Sequence, residues 1–186
     1  MIMVGFQGPL DEGAGPAVLR VLWRDRVEAM LKRLRMFVLR AKATLADVSD
    51  QLAIHGLLGD AVTAAAPGLS QQAWQREHRA DGVDVVRLPS GLDPSNSVGG
   101  ELARALWIAP SGQVPDGPAL PLAAWLTAEV WSGVAPVMTA TAEAFVPQML
   151  NDESVGGVNF KKGCYPGQEI VARSQFRGTL KQRAFV

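Results

Sequence analysis

The alternation of apolar and polar residues along the chain predicts two amphipathic helices. From residue 27 to residue 38, apolar side chains recur every three or four positions with basic residues between them, which is the periodicity of a helix that buries one face. Asp25 followed by Glu28 has the spacing of a capping box and predicts the start of this helix. The run LAAWLTAEVW (122–131) predicts the second helix, which Gly133 would end.

Short apolar runs bounded by Gly, Pro, Asp and Ser predict several β-strands. Residues 1–16, rich in Gly and Pro, predict an irregular lead-in, and the final GTLKQRAFV predicts a half-apolar strand that needs a neighbour. Because strands and helices mix without a strict strand–helix–strand rhythm, we expect an α+β fold with mostly antiparallel sheets and packed helices. The other predicted strands are 17–23, 43–48, 51–58, 82–88 and 103–109.

The composition is that of an ordinary soluble globular protein. The chain has 186 residues, of which 48% are hydrophobic and 19% charged. No run approaches the roughly 18 consecutive apolar residues of a membrane span, and the N-terminal residues lack the pattern of a signal peptide. We therefore expect a cytoplasmic protein that does not enter the membrane.

A single cysteine, Cys164, limits the metal and redox chemistry of the chain. One thiol cannot form an internal disulfide or supply the usual three or four ligands of a zinc ion or an iron–sulfur cluster. We therefore expect no metal site within this chain, and any metal would be shared with another molecule.

The surroundings of Cys164 favour a functional thiol over a packed one. Gly163 permits backbone angles that most residues avoid, and Pro166–Gly167 fits the two central positions of a type II turn, so a tight loop would present the thiol. Lys161 and Lys162 are close enough in sequence to favour the thiolate. The alternative is that Cys164 is a small buried hydrophobic residue, which is a common state of lone cysteines.

Polar residues on both sides of the cysteine are candidates for ligand contacts. Gln168 and Glu169 offer an amide and a carboxylate that can hold the edge of a heteroaromatic ligand or cap the following turn. Gln148 and Asn151 lie near a proline upstream, and Asn151 fits a loop cap equally well. Neither histidine of the chain lies in a motif, so no partner for a cysteine-hydrolase site is visible.

Positive charge is concentrated in two segments although the formal net charge is zero. Residues 20–42 carry eight Lys and Arg against two acidic residues, and residues 161–186 carry six against one. An anionic ligand or partner fits these segments, and so does an ordinary solvated surface. We expect no direct binding of nucleic acid, because the basic residues lack interleaved aromatic residues or a recognisable motif.

The sequence around the cysteine resembles the signature of a known family. FVPQMLN (145–151) followed by GGVNFKKGCYPGQEIVAR (156–173) is similar to the YgfZ family of folate-binding proteins, which is related in fold to the aminomethyltransferase (T-protein) of the glycine cleavage system. The family signature Lys-Gly-Cys-Tyr-x-Gly-Gln-Glu is complete from residue 162 to residue 169. MFVLRAKATLADVS (36–49) resembles the family as well, so the likeness runs from about residue 18 to the end.

The resemblance implies a fold with ferredoxin-like halves and a loop, 161–169, that faces a cleft. It also implies a ligand, tetrahydrofolate or another reduced folate, and a role in making or maintaining iron–sulfur enzymes, including one that thiolates tRNA. Partners would be iron–sulfur enzymes or cluster-assembly proteins. Carried over by position, the functional thiol is Cys164 with Lys162 as a nearby cation, and the ligand-binding or loop-shaping residues are Gln148, Asn151, Tyr165, Gln168 and Glu169.

The chain also departs from the family pattern. Residues 17–186 are expected to form a partial folate-binding domain, without the N-terminal strands and C-terminal β-barrel of the family. WSGVAP (131–136) replaces an Arg-x-Gly-x-Pro pattern, and Asp152 with Glu153 replaces a more apolar run. Two other functions stay open at this point: an aminomethyltransferase-like one-carbon transfer enzyme, and a thiol-reactive enzyme that uses no folate.

Overall fold

The computed structural model divides the chain into two compact units, which we call the cysteine unit and the sheet unit. The cysteine unit contains the described residues up to Asp47 and from Ala135 to Ala184, and the sheet unit contains Val48–Val134 with Phe185. The structure describes residues 5–8, 17–39, 43–92, 100–165, 167–178 and 182–185.

The sheet unit is built on a four-stranded antiparallel sheet with the spatial order β3-β6-β5-β4. Three of its strands confirm the predictions at 51–58, 82–88 and 103–109, and the helix α3 has the predicted bounds. The short β4 and α2 were not predicted. The elements of this unit are β3 (Leu52–Leu58), α2 (Asp60–Ala65), β4 (Arg76–His78), β5 (Asp84–Leu92), β6 (Glu101–Pro110) and α3 (Leu122–Trp131).

Alternate residues of the sheet point to two differently packed faces. One face forms the main hydrophobic core, in which Val85 and Trp107 of neighbouring strands pack with Val62 of α2. The opposite face carries Arg104, whose guanidinium carbon lies 4.8 Å from the ring centroid of Trp125 on α3. The sheet is therefore covered on one side by an apolar core and on the other by an aromatic and ionic contact.

The cysteine unit is a smaller set of elements joined by long-range contacts. A two-stranded antiparallel sheet pairs β1 with β2, and Pro147–Leu150 forms a short 3-10 helix. The helix α1 confirms the predicted first helix, but it ends at Arg35 instead of continuing to residue 38. The elements of this unit are β1 (Gly5–Gly8), β2 (Ala17–Arg20), α1 (Val27–Arg35) and α4 (Gln168–Phe176), with 3-10 turns at Arg24–Arg26 and Thr139–Thr141.

In the cysteine unit, the prediction of irregular structure over 1–16 was wrong in part, and the prediction of a strand over 43–48 was wrong. The lead-in 1–16 is not wholly irregular, because Gly5–Gly8 pairs with Ala17–Arg20 in register, and the rest of that lead-in lies outside the described residues. The predicted strand 43–48 is irregular instead. There the carbonyl oxygen of Leu45 accepts a hydrogen bond from Arg35 Nη2 at 3.4 Å.

The predicted capping box at Asp25 and Glu28 is also wrong. Neither side chain caps α1. The Asp25 carboxylate instead accepts the backbone N–H of Thr139 at 2.7 Å, and the Thr139 hydroxyl donates to the Asp25 carbonyl oxygen at 3.1 Å. Asp25 thus forms hydrogen bonds with a segment distant in sequence instead of capping the helix beside it.

The fold class is α+β with mostly antiparallel strands, as the sequence predicted. The final predicted strand does not form within 182–185, and residues 179–181 and 186 lie outside the described residues. None of the helices in the described ranges has the length and apolar character needed to cross a bilayer.

Candidate functional site

Cys164 is exposed at the tip of the loop that leads into α4. The Tyr165 carbonyl oxygen accepts the N–H of Gln168 at 3.2 Å, which is the hydrogen bond that closes a β-turn. Gly167, the third residue of that turn, has φ 86° and ψ 0°, which are the angles of a type II turn at this position. Pro166 lies outside the described residues. The turn predicted from the sequence thus forms one residue after the thiol, and the alternative of a buried cysteine does not hold.

The glycine that needs a left-handed conformation is Gly167 and not Gly163. The positive φ of Gly167 is rare for residues with a Cβ atom. Gly163 has an ordinary φ, and a Cβ atom added there would meet no atom within 4 Å. The prediction that Gly163 supplies unusual backbone angles was therefore wrong, and the turn depends on the glycine that follows the proline.

Gln168 and Glu169 lie where the loop becomes helix. The Gln168 side-chain Oε1 accepts the backbone N–H of Tyr165 at 3.4 Å, so this residue closes the turn from both its backbone and its side chain. Glu169 is exposed in the first turn of α4, where the helix dipole favours a carboxylate. The loop-shaping part of the prediction is consistent with these positions, and their contacts with a ligand stay a prediction.

Lys162 contacts an aromatic ring within the same loop. Its Nζ lies 4.3 Å from the centroid of the Tyr165 ring, which is a cation–π distance. The backbone N–H of Lys161 donates to Asn159 Oδ1 at 2.8 Å. The loop is therefore ordered by its own side chains, and the influence of Lys162 on the thiol stays a prediction.

A buried glutamine joins the two parts of the sequence motif. Gln148 has no exposed surface, and its Nε2 donates to the carbonyl oxygen of Val171 in α4 at 2.9 Å. Its Oε1 is buried, with no donor among the described residues. Gln148 was predicted as a ligand contact; one N–H of its amide donates to α4, and its contact with a ligand stays a prediction.

Asn151 ends the 3-10 helix in a left-handed conformation, with φ 54° and ψ 31°. Its Nδ2 donates to the Ala184 carbonyl oxygen at 2.8 Å, while the Ala184 N–H donates to the Met149 carbonyl oxygen at 2.7 Å. The loop-capping alternative for Asn151 thus holds. Its Oδ1 is buried without a donor among the described residues, so a ligand contact is still a prediction.

Two carboxylates follow Asn151 directly. Arg183 Nη2 lies 3.0 Å from Glu153 Oε1, whereas Glu153 Oε2 is buried without a donor in the part of the chain that the structure describes. Burial raises the pKa of the Asp152 carboxyl above its ordinary value, and the neighbouring Glu153 charge raises it further. The ion pair with Arg183 could not be predicted, because no local pattern relates the two positions.

The segment from 148 to 153 therefore carries several buried acceptor oxygens that find no donor in the described part of the chain. Buried polar atoms are nearly always hydrogen-bonded, so such oxygens fit a ligand that presents N–H or O–H groups. Within the described ranges, no three His, Cys, Asp or Glu residues are grouped so that they could hold a metal ion. The unpaired acceptor atoms are Gln148 Oε1, Asn151 Oδ1 and Glu153 Oε2.

No protein-family model matches the chain. The tRNA-modifying protein YgfZ of Colwellia psychrerythraea is 33% identical to it over 174 residues, which cover 86% of this chain and 48% of that protein. The chain thus spans about half the length of the curated relative that it matches.

Proposed function

Because this chain belongs to the YgfZ family, we propose that it is a reduced-folate-binding accessory protein for iron–sulfur enzymes, including enzymes that modify tRNA. The observation that carries the proposal is the complete Lys-Gly-Cys-Tyr-x-Gly-Gln-Glu sequence on a loop whose thiol is exposed. A turn closed by Gln168 follows that thiol directly. The family supports the link to tRNA modification, and the site residues support the finer assignment.

The unpaired acceptors between Gln148 and Glu153 support tetrahydrofolate as the ligand. The reduced pterin ring presents an amino group and ring N–H groups along its edges, and these are the donors that buried amide and carboxylate oxygens lack. The folate tail ends in carboxylates, which suit the exposed cations Lys161 and Lys162. Gln148 Oε1, Asn151 Oδ1 and Glu153 Oε2 would hold the ring edge.

The exposed thiol of Cys164 suits a role toward the cluster of another protein. Cysteine thiolates are the usual ligands of iron in such clusters, and a [4Fe–4S] cluster takes four of them. One thiol cannot hold a cluster alone, but an exposed one can contact an iron atom of a partner's cluster. In this proposal the iron–sulfur protein is the substrate, and Cys164 is the group of this chain that touches it.

The test is the level of thiolated tRNA nucleosides in a bacterial strain that lacks its own YgfZ relative. The chain is expressed as the natural sequence, as Cys164→Ser, and as Ser154→Ala, a matched change of one exposed side chain in the same unit. We expect the natural chain and Ser154→Ala to restore the modified nucleosides, measured by mass spectrometry, and Cys164→Ser to leave them at the level of the deletion strain. Equal restoration by Cys164→Ser would refute the role of the thiol.

A further inference from the structure

The helix α4 presents a broad exposed face on the side opposite its buried residue. At about 100° per residue, five of the six exposed positions fall within roughly 120° of the helix circumference, and Val171 lies on the other side with the sixth, Gln175, beside it. Ile170 is 54% exposed and Phe176 is 72% exposed, so large apolar side chains are part of this face. The five grouped positions are Glu169, Ile170, Arg173, Phe176 and Arg177.

The cysteine loop continues the same surface. The rings of Phe160 and Phe176 meet edge to face with their centroids 5.4 Å apart, which joins the start of the loop to the end of α4. The residues between Phe160 and Cys164 are all exposed. We call the exposed residues of 160–164 together with the five grouped exposed positions of 169–177 the Cys164 face.

The charge of the Cys164 face is strongly unbalanced. It carries four cations and a single carboxylate, that of Glu169. Among the described residues, none of the four cations is paired with a carboxylate, in contrast to Arg183, which pairs with Glu153. The cations are Lys161, Lys162, Arg173 and Arg177.

We propose that the Cys164 face docks an acidic segment of a partner protein that also carries an apolar side chain. The unpaired cations supply attraction and orientation for carboxylates, while Phe160, Phe176 and Ile170 supply an apolar contact of the kind that anchors interfaces. The inference rests on the proposed function, because the partner would be the protein whose cluster Cys164 contacts. That partner would bind at the Cys164 face, through contacts of its carboxylates with the cations and of its apolar side chain with the phenylalanine and isoleucine side chains.

A protein segment fits this face better than a single-stranded nucleic acid does. Bases bind proteins chiefly by stacking on open aromatic faces. Here Phe160 and Phe176 are packed against each other edge to face, and Ile170 has no aromatic face at all. An aliphatic or aromatic side chain of a partner can fill the space beside such a pair, and its acidic neighbours can reach Arg173 and Arg177.

The test measures binding of a fluorescent synthetic peptide in which Glu and Asp alternate with Leu, titrated with the full chain. Two comparison probes are the same peptide with Gln and Asn in place of the acids, and a single-stranded oligoribonucleotide. We expect saturable binding of the acidic peptide that weakens with salt, and slower alkylation of Cys164 by iodoacetamide when the peptide is bound.

Variants of α4 locate the binding. Arg173→Glu combined with Arg177→Glu should weaken the binding of the acidic peptide about tenfold or more. Phe176→Ser should weaken that binding by a similar factor. Lys32→Glu, an exposed cation on α1, should leave the affinity unchanged. Arg173→Gln gives a milder charge change, and circular dichroism of every variant checks that it is folded.

Several results would overturn the proposal. They are equal binding of the neutral peptide, no binding of the acidic peptide, an effect of Lys32→Glu equal to that of the α4 variants, or tighter binding of the oligoribonucleotide to the same residues. A separate titration with tetrahydrofolate distinguishes the two proposals. Folate binding without peptide binding would refute only the docking proposal. Peptide binding without folate binding would refute only the proposed folate site.

Discussion

The buried side-chain amide N–H of Gln148 donates to the backbone carbonyl oxygen of Val171 at 2.9 Å and thereby links the two halves of the cysteine motif. Val171 is the buried residue of α4, and the first turn of that helix closes the Cys164 loop. This hydrogen bond therefore holds α4, and with it the end of the Cys164 loop, against the 3-10 helix Pro147–Leu150. Gln148 acts on the loop through the helix.

Replacing Gln148 with Leu should destabilise the protein, because the buried hydrogen bond from its side chain to the Val171 carbonyl oxygen would be lost. The expected loss is about 0.5–1.5 kcal/mol in the free energy of unfolding by urea. The rate at which Cys164 is alkylated should also differ between this variant and the natural protein when no ligand is present. Gln175→Leu, at an exposed position of the same helix, is the matched control and should change neither quantity. A Gln148→Leu protein with natural stability and thiol reactivity would contradict this account.

Replacing Gly167 with Ala should distort the Cys164 loop, because Gly167 has φ 86° and a Cβ atom is strained there. We expect a loss of about 1–2 kcal/mol in unfolding free energy and an altered rate of Cys164 alkylation. Gly163→Ala should have little effect on stability, since its φ is not in the left-handed region and the added atom meets nothing within 4 Å. The reverse order of the two effects would show that the turn has been misassigned.

The stability of the protein should depend on pH through Asp152, whose pKa is raised by burial and by Glu153. In the folded protein the carboxyl keeps its proton at a pH where the unfolded chain has released it. Stability should therefore fall as the pH rises from about 4 through the raised pKa, and then level off. Asp152→Asn should lack this fall and be the more stable protein at neutral pH.

Urea unfolding midpoints at a series of pH values measure that difference. Asp116→Asn, at an exposed position, serves as the control and should follow the natural protein at every pH. A constant offset between Asp152→Asn and the natural protein across the whole range would argue against a buried titrating carboxyl.

Arg104 and Glu129 should behave as a coupled buried pair in the sheet unit. Arg104 is 1% exposed, its Nη2 lies 3.7 Å from Glu129 Oε2, and burial raises the pKa of Glu129. Arg104→Met alone leaves a buried carboxylate without its partner and should cost about 3 kcal/mol or more. Adding Glu129→Leu should recover most of that loss, measured by thermal or urea unfolding. Additive losses in the double variant would mean that the two charges do not interact.

The parts of the fold that follow from local patterns could be predicted, and α3 is the best example. Its apolar run and the glycine after it define both ends. By contrast, α4 has one buried residue, Val171, and so lacks the repeating apolar positions that predict a helix. Its place depends on Gln148, which lies 23 residues away in sequence.

A contact between residues distant in sequence also explains why the capping box predicted at Asp25 was wrong. Its spacing from Glu28 matches a capping box, but the carboxylate binds the N–H of Thr139, 114 residues away. Local spacing cannot report a competing partner brought in by the fold. In the site, the turn after Cys164 could be predicted from Pro166–Gly167 in the sequence. The side-chain oxygens of Gln148 and Glu153 that lack donors among the described residues are visible only in three dimensions.

The most direct measurement is a titration of the chain with tetrahydrofolate, followed by the fluorescence of its five tryptophans. The natural protein is compared with Lys162→Ala, Glu153→Gln and the control Lys32→Ala. The account predicts saturable binding that is weaker in Lys162→Ala and Glu153→Gln and unchanged in Lys32→Ala. No saturable binding by the folded natural protein, or equal binding by all four proteins, would contradict it.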